Sequence, residues 1–380
     1  MADIYGDTSG RLSGQKTGRS QTIDGHSSPG SRLFGDARFI EDLARGGNDR
    51  LISSTDSEEG NALFGDAYRI LDRGRGGNDT LQAGRSGPLY GDAMEMTDNA
   101  RGGRDTFTGG GRYSYYFYGD AKTLSDRTVG GNDTFKVTSG SAPQFYGDAE
   151  SMTDYARGGH DTFYVTASLN SFAYGDAYRM NGYTHGGNDT IIGGGANINT
   201  LYGDARTMTG RAVGGNDNIK SGGVHNTLYG DAYVLGSRAT GGNDTLRAGA
   251  SEGFAPLPDK LYGDGYSIGS TAAGGNDRLF AGTGEADMWG DAALMRAGAK
   301  GGRDTFIFSG EFGDTRIHDF RHGQDRLQVN IDLLLGRPAQ VSWEKVGNDT
   351  VVTVSGPVSE GTFVLVDYKG SLSNSDFYFV

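Results

Sequence analysis

Aspartate recurs in this sequence more strictly than any other residue able to do chemistry. The tetrapeptide (Y/F)-G-D-A, with Gly265 for Ala in one unit and Trp289 for Tyr or Phe in another, places one at Asp36, Asp66, Asp92, Asp120, Asp148, Asp176, Asp204, Asp231, Asp264 and Asp291. A second motif, G-G-N-D-T-(L/F) with Arg or His for Asn, Arg or Asn for Thr and Ile for the last residue in some units, places another at Asp49, Asp79, Asp105, Asp133, Asp161, Asp189, Asp217, Asp244, Asp277 and Asp304. In every unit the second aspartate follows the first by 13 residues, whereas the gap between units varies from 13 to 20. The fixed interval is the constrained element. If the units stack, each motif becomes a column of carboxylates about 4.8 Å apart, and like charges directly opposite one another destabilise a sheet. Arginine is not spaced regularly enough to neutralise them. A hard divalent cation is the economical solution. Ca²⁺ accepts about six to eight oxygens in flexible geometry, backbone carbonyls included, while Mg²⁺ demands a stiffer shell and Zn²⁺ asks for His or Cys. Aspartate as a simple turn former accounts for one G-D or N-D, not for two columns.

The elements that must hold these columns are short. Three residues before the first Asp lies an apolar residue, Leu33 through Met288, and two after the second lies another, Leu51 through Phe306. The flanking runs are too short for helices and read as brief strands. A coil of two facing strands, each sending one apolar side chain inward, would build a narrow core that no single coil can bury alone. Between that first apolar residue and the Gly stands an aromatic residue, Phe34 through Trp289. Alternation predicts that it points outward in a stacked surface ladder, with a sugar-binding platform as the second reading. The insert between the motifs carries an aliphatic residue (Ile40 through Met295) and then a small one (Ala44 through Ala299), so the loops are expected to stack as a second ridge. Asp42, Asp72, Asp98, Asp126 and Asp154 add an acidic column in the first five coils, either a second cation row or a solvated surface.

Composition narrows the class. The chain has 380 residues with 67 Gly and no three-residue glycine period, which excludes collagen. Hydrophobic residues make up 35%, thin for an ordinary core, yet 11% aromatics argue against disorder. A net charge of −13 makes nucleic acid and anionic membranes poor partners. No apolar run approaches the roughly 18 residues of a membrane span, so no membrane insertion is expected. Cysteine is absent, which removes disulfides. The segment Met1-Ala2-Asp3-Ile4-Tyr5-Gly6-Asp7 lacks the basic and apolar regions of a Sec signal.

Together, G-D-A and G-N-D resemble the two ends of the G-G-x-G-x-D-x-U-x turn of RTX (hemolysin-type) calcium-binding β-rolls, with extra residues inserted between Ala and the Gly pair. Beyond the repeats, the stretch from Ile317-His318-Asp319-Phe320 to Gly323-Gln324-Asp325-Arg326-Leu327 resembles the I-x-D-F-x-x-G-x-D-x-L cap of rolls in serralysin-like proteases. The tail Asp376-Phe377-Tyr378-Phe379-Val380 resembles an uncleaved type I secretion signal. The resemblance covers nearly the whole chain and departs from the family in the long insert. It implies an all-β fold, a parallel β-roll or β-solenoid of about ten coils with inserted edge loops, capped by a small C-terminal β segment. Residues 1–32 would be a degenerate capping repeat lacking its G-G-N-D half, 33–308 the calcium-binding roll, and 309–380 the cap and secretion signal. The implied ligands are the carboxylates Asp49 through Asp304 and the carbonyls of Gly46, Gly76, Gly102, Gly130, Gly158, Gly186, Gly214, Gly241, Gly274 and Gly301. Asp36 through Asp291 form a second ligand set, with about one Ca²⁺ per coil interface. The expected location is extracellular or at the cell surface. The expected partners are calcium, the type I secretion machinery, and an extracellular polysaccharide or cell surface.

Catalysis on such a roll would show as residues that break the pattern. His160, Arg104 and Arg303 replace the usual Asn, His185 occupies an Arg/Val column, and His225 lies in a variable link. With Tyr155 and Tyr183 they offer a Tyr/His/Arg set suited to proton abstraction beside a carboxylate, so His160, His185 and Tyr183 are the catalytic candidates. No G-x-S-x-G, H-E-x-x-H or P-loop occurs. The expected function is a calcium-binding extracellular protein with a structural, adhesive or surface-interaction role that folds on Ca²⁺ after export. A polysaccharide-binding or polysaccharide-modifying enzyme of lyase or epimerase type is the alternative, and a secretion module serving a domain on another chain is a third.

Overall fold

Each repeat closes into a coil of three strands, one per side. In the first full repeat these are Arg32–Phe34, Ala37–Ile40 and Arg50–Ile52. The middle strand belongs to the insert, which buries Ala37 and Ile40 before turning back toward the Gly pair. The coil is therefore three-sided, where the sequence led us to expect two facing strands and a loop. The computed structural model describes residues 2–54, 60–109, 116–137, 143–165, 171–194, 198–222, 225–250, 257–330, 340–355 and 360–380.

Stacked coils make three sheets of fifteen, eleven and thirteen strands. All pairing is parallel except in a C-terminal meander, Gln340–Val346, Asp349–Ser355 and Glu360–Leu365. The molecule is thus an all-β parallel solenoid, and among the described residues no helix is long and apolar enough to cross a membrane. Register follows the repeat: Leu33 lies beside Leu63, Leu63 beside Leu89, Leu89 beside Phe117.

The eleven-stranded sheet contains one more coil than the ten repeats. Asp3–Tyr5, Thr8–Leu12 and Thr22–Asp24 form it, with Gln21 in the register position of Asp49. The lost aspartate and a one-residue bulge between Thr8 and Arg11 conceal this coil's second half in the sequence. Past the last repeat, Thr315–Ile317 and Arg326–Asn330 extend the first and third sheets but not the second. The tail strand Phe377–Phe379 closes the third sheet against Arg326–Asn330.

Three apolar rows run the length of the solenoid. The Leu33 and Leu51 columns meet in one core, as the spacing predicts. The Ile40 and Ala44 columns fill a second core behind the insert strands. The aromatic column makes a third. It turns away from the first core, as alternation requires, but it is buried rather than exposed, because Tyr68, Met94, Tyr178, Tyr233 and Tyr266 of the middle strands pack against it. Its rings stack without a break from Tyr5 to His318, at centroid distances from 4.2 Å (Trp289–His318) to 5.3 Å (Tyr146–Tyr174). Ring faces already occupied by neighbouring rings leave no platform for a sugar.

Candidate metal centre

The first-column aspartate locks its own coil. Gly47 N–H donates to Asp36 Oδ2 at 2.7 Å, and the same bond, to the glycine eleven residues on, recurs through Gly302 and Asp291. This bond spans the insert and explains why the interval of 13 residues does not vary. The second-column aspartate works between coils. Asp79 Oδ1 accepts the Asp49 N–H at 2.5 Å, Asp105 Oδ1 accepts that of Asp79 at 2.6 Å, and the series continues to Asp304. Both columns are buried.

These bonds use only part of most of the carboxylates. Among the described residues, seven aspartates of the first column (Asp36, Asp120, Asp148, Asp176, Asp204, Asp231 and Asp264) and all ten of the second keep one buried oxygen without a hydrogen-bond partner. Buried polar groups are normally paired, so a column of orphans asks for an explanation. Burial is the first cause that raises these acids above the ordinary carboxylate range, and neighbouring aspartates add to it: Asp49 is pushed up to about 7, and Asp79, Asp105 and Asp133 well up.

The N-terminal coil shows what the orphans face. There Gln21 holds the place of the second-column acid, and its amide Nε2 donates to Asp7 Oδ1 at 2.9 Å and to Gly35 O at 3.4 Å. One coil on, Asp49 Oδ2 takes the place of that nitrogen. It lies beside Gly65 O, with Asp36 the strongest charge acting on it. A donor between two acceptors has become an acceptor among acceptors. The residues present therefore fit an oxygen-seeking cation. Among the described residues no three acidic or histidine side chains converge into a cluster, so backbone carbonyls such as Gly65 O must complete any ligand set.

Comparison of the chain with protein-family models and with curated proteins finds no match.

The glycines that the resemblance marks as ligands have a different visible role. None of the series from Gly46 to Gly301 adopts a positive φ, so left-handed backbone does not require them. Close approach does. A Cβ at Gly214 would collide with Asp204 Oδ2 of its own coil and Asp231 Oδ1 of the next, because carboxylates of consecutive coils meet over this glycine. Left-handed backbone appears instead in the Asp42, Asp72, Asp98, Asp126 and Asp154 column, with φ from 57° to 65°. These exposed side chains tie turns together: Asp98 Oδ2 accepts the Asp72 N–H and Asp126 Oδ2 the Asp98 N–H. Where the column changes to Gly182 and Gly210 the positive φ persists, so the acids are turn residues that tolerate this conformation.

The catalytic candidates do not assemble. The Asn column before the second Asp forms its own ladder, Asn78 N–H to Asn48 Oδ1 and so on, and His160 substitutes for Asn by accepting the Asn188 N–H on Nδ1 at 2.6 Å. His185 sits in the bridge column between Arg157 and Val213, and burial, then Arg157, lowers its pKa. Tyr183 stacks on Tyr155 with centroids 5.1 Å apart. No hydrogen bond or ion pair joins His160, His185 and Tyr183 among the described residues.

Proposed function

We propose that the chain is a calcium-binding β-roll of RTX type, acting outside the cell and completed by a row of Ca²⁺ along the carboxylate columns. The exchange of an amide donor at Gln21 for orphaned carboxylates from Asp49 onward carries this reading. Protons are the competing solution. Holding one on an ordinary aspartate at pH 7 costs about 4 kcal/mol, and repeating that along two columns exceeds the roughly 5–15 kcal/mol by which domains are stable. A bound Ca²⁺ supplies positive charge without that penalty. The second-column Oδ2 atoms and the first-column oxygens left free by the Gly47-type bonds are the side-chain ligands in this proposal, with neighbouring glycine carbonyls beside them.

Folding and export follow from the same chemistry. Extracellular calcium modules bind with Kd on the order of 10⁻⁴–10⁻³ M. In low calcium the columns repel and the glycine-rich backbone stays unfolded; outside, the ion folds it. Circular dichroism of the full chain in chelator and then in millimolar calcium tests the proposal. The expected result is a disordered spectrum converting to β structure, and a folded spectrum indifferent to calcium would refute it. The role of the folded roll is structural or adhesive in this reading. Binding of an acidic polysaccharide is the second reading, favoured by Arg127 and Arg211, whose guanidinium groups flank the exposed Tyr155–Tyr183 stack. A glycan array in calcium separates the two.

A further inference from the structure

The carboxylate columns do not run off the ends of the solenoid; each end is closed by a different device. At the C-terminal end Arg321 reaches back from the cap, and its Nη1 lies 2.6 Å from Asp291 Oδ2. The place it occupies is informative. Over Gly214, Gly186 or Gly158 the oxygens of two consecutive first-column aspartates meet. Over Gly301, the last glycine of that series, Asp291 meets the Arg321 guanidinium instead of a further carboxylate. Asp291 accordingly has no orphaned oxygen, unlike Asp264 one coil before. The second column ends the same way. Asp325 Oδ1 accepts the Asp304 N–H at 3.1 Å, continuing the series, and its Oδ2 accepts the Arg321 N–H at 2.7 Å, so both oxygens are used. At the N-terminal end Gln21 and Arg19 serve Asp7, Arg19 through its backbone N–H at 2.9 Å and its side chain at 3.3 Å.

We infer that Arg321 and the Arg19/Gln21 pair are built-in substitutes for the terminal cations of the row, and that each conceals a calcium site that one or two substitutions would open. This rests on the calcium reading above. Two features make the sites available. A cavity of about 440 Å³ is lined by Asn276, Gly301, Gly302, Arg303, Gly323 and Gln324, and Gly301 is the glycine over which Asp291 and the guanidinium meet. At the other end, Arg19 and Gln21 stand in the register of Gly47 and Asp49, so Arg19→Gly with Gln21→Asp rebuilds the repeat.

The test is calcium content per chain of the full-length protein, measured by atomic emission after equilibrium dialysis. Arg321→Ser and the Arg19→Gly/Gln21→Asp double variant are each expected to hold one ion more than the wild type. Arg321→Lys keeps the positive charge and is expected to hold the wild-type number. Variants with an unchanged ion count overturn the inference. So does an Arg321→Ser chain that fails to fold in millimolar calcium, because an ion should replace the guanidinium. A wild type that holds no calcium would sink the calcium reading itself, whereas a calcium-loaded wild type with unaltered variants would leave that reading standing.

Discussion

The aromatic column and the carboxylate columns run through the same coils with one member each, and repetition acts on them in opposite ways. Stacking a ring on a ring is attractive at each step, so the row from Tyr5 to His318 gains with every coil and is complete in itself. Placing an acid beside an acid is repulsive at each step, so every added coil deepens the need for something external. In the calcium reading, the aromatic column is self-sufficient, while the carboxylate columns wait for an ion. The contrast teaches that a strict repeat is not by itself evidence of a strong contact. The sign of the pair interaction decides.

The largest effect that would test this contrast is the response to pH in chelator. Burial raises folded-state carboxyls above the ordinary aspartate range, Asp36 to about 6 and Asp49 to about 7. The folded chain therefore binds more protons than the unfolded one between those values, and stability falls as pH rises through that window. Metal-free protein is expected to be most folded near pH 4 and to unfold by pH 7 to 8. In calcium the order should reverse, since ions require ionised ligands; far-UV circular dichroism across pH reads both. Next comes Tyr146→Ala, which breaks the stack between Tyr118 and Tyr174. It is expected to cost about 3–5 kcal/mol in urea unfolding, by an equal amount at every calcium concentration that folds the chain.

Asp133→Asn should behave in the opposite manner. It keeps the oxygen that accepts the Asp105 N–H but replaces the orphan with a donor, as Gln21 does naturally. Losing one site filled a hundredfold above its Kd removes about 2.7 kcal/mol in calcium, with no loss for the metal-free chain near pH 4, where it is folded. The smallest change is His160→Asn, which exchanges one ladder acceptor for another, an amide oxygen in place of Nδ1, opposite the Asn188 N–H. Stability should stay within about 0.5 kcal/mol and the circular dichroism spectrum should be unaltered.

Much of this was legible in the sequence because the interval of 13 residues is fixed by a hydrogen bond, Gly47 N–H to Asp36, that recurs in all ten repeats. The two leucine columns and their shared core followed from it. The insert strand escaped notice for a physical reason: it buries its first and fourth residues, Ala37 and Ile40, with the exposed Arg38 and the half-buried Phe39 between, so it lacks the period-two signature. The aromatic column was expected at the surface because alternation tells which way a side chain leaves its strand, not what packs over it; Tyr68 and Tyr178 come from that unrecognised strand. A signal for the left-handed turns was present, since one column switches from Asp154 to Gly182, the exchange that positive φ permits. His160 looked anomalous by type, yet its ring nitrogen does what the Asn oxygen does.

The bulge between Thr8 and Arg11 also guards the molecule against itself. A solenoid's terminal strands present unpaired backbone groups, a template on which another copy's strands could add end to end and grow into a fibre. On its inner side Thr8–Leu12 absorbs the extra residue and still pairs with Ala37–Ile40, but a bulge bends the strand and breaks the regular ladder, which makes its outer side a poor template for a further strand. The irregularity that hid the first coil from the sequence pattern is thus a stop signal for polymerisation.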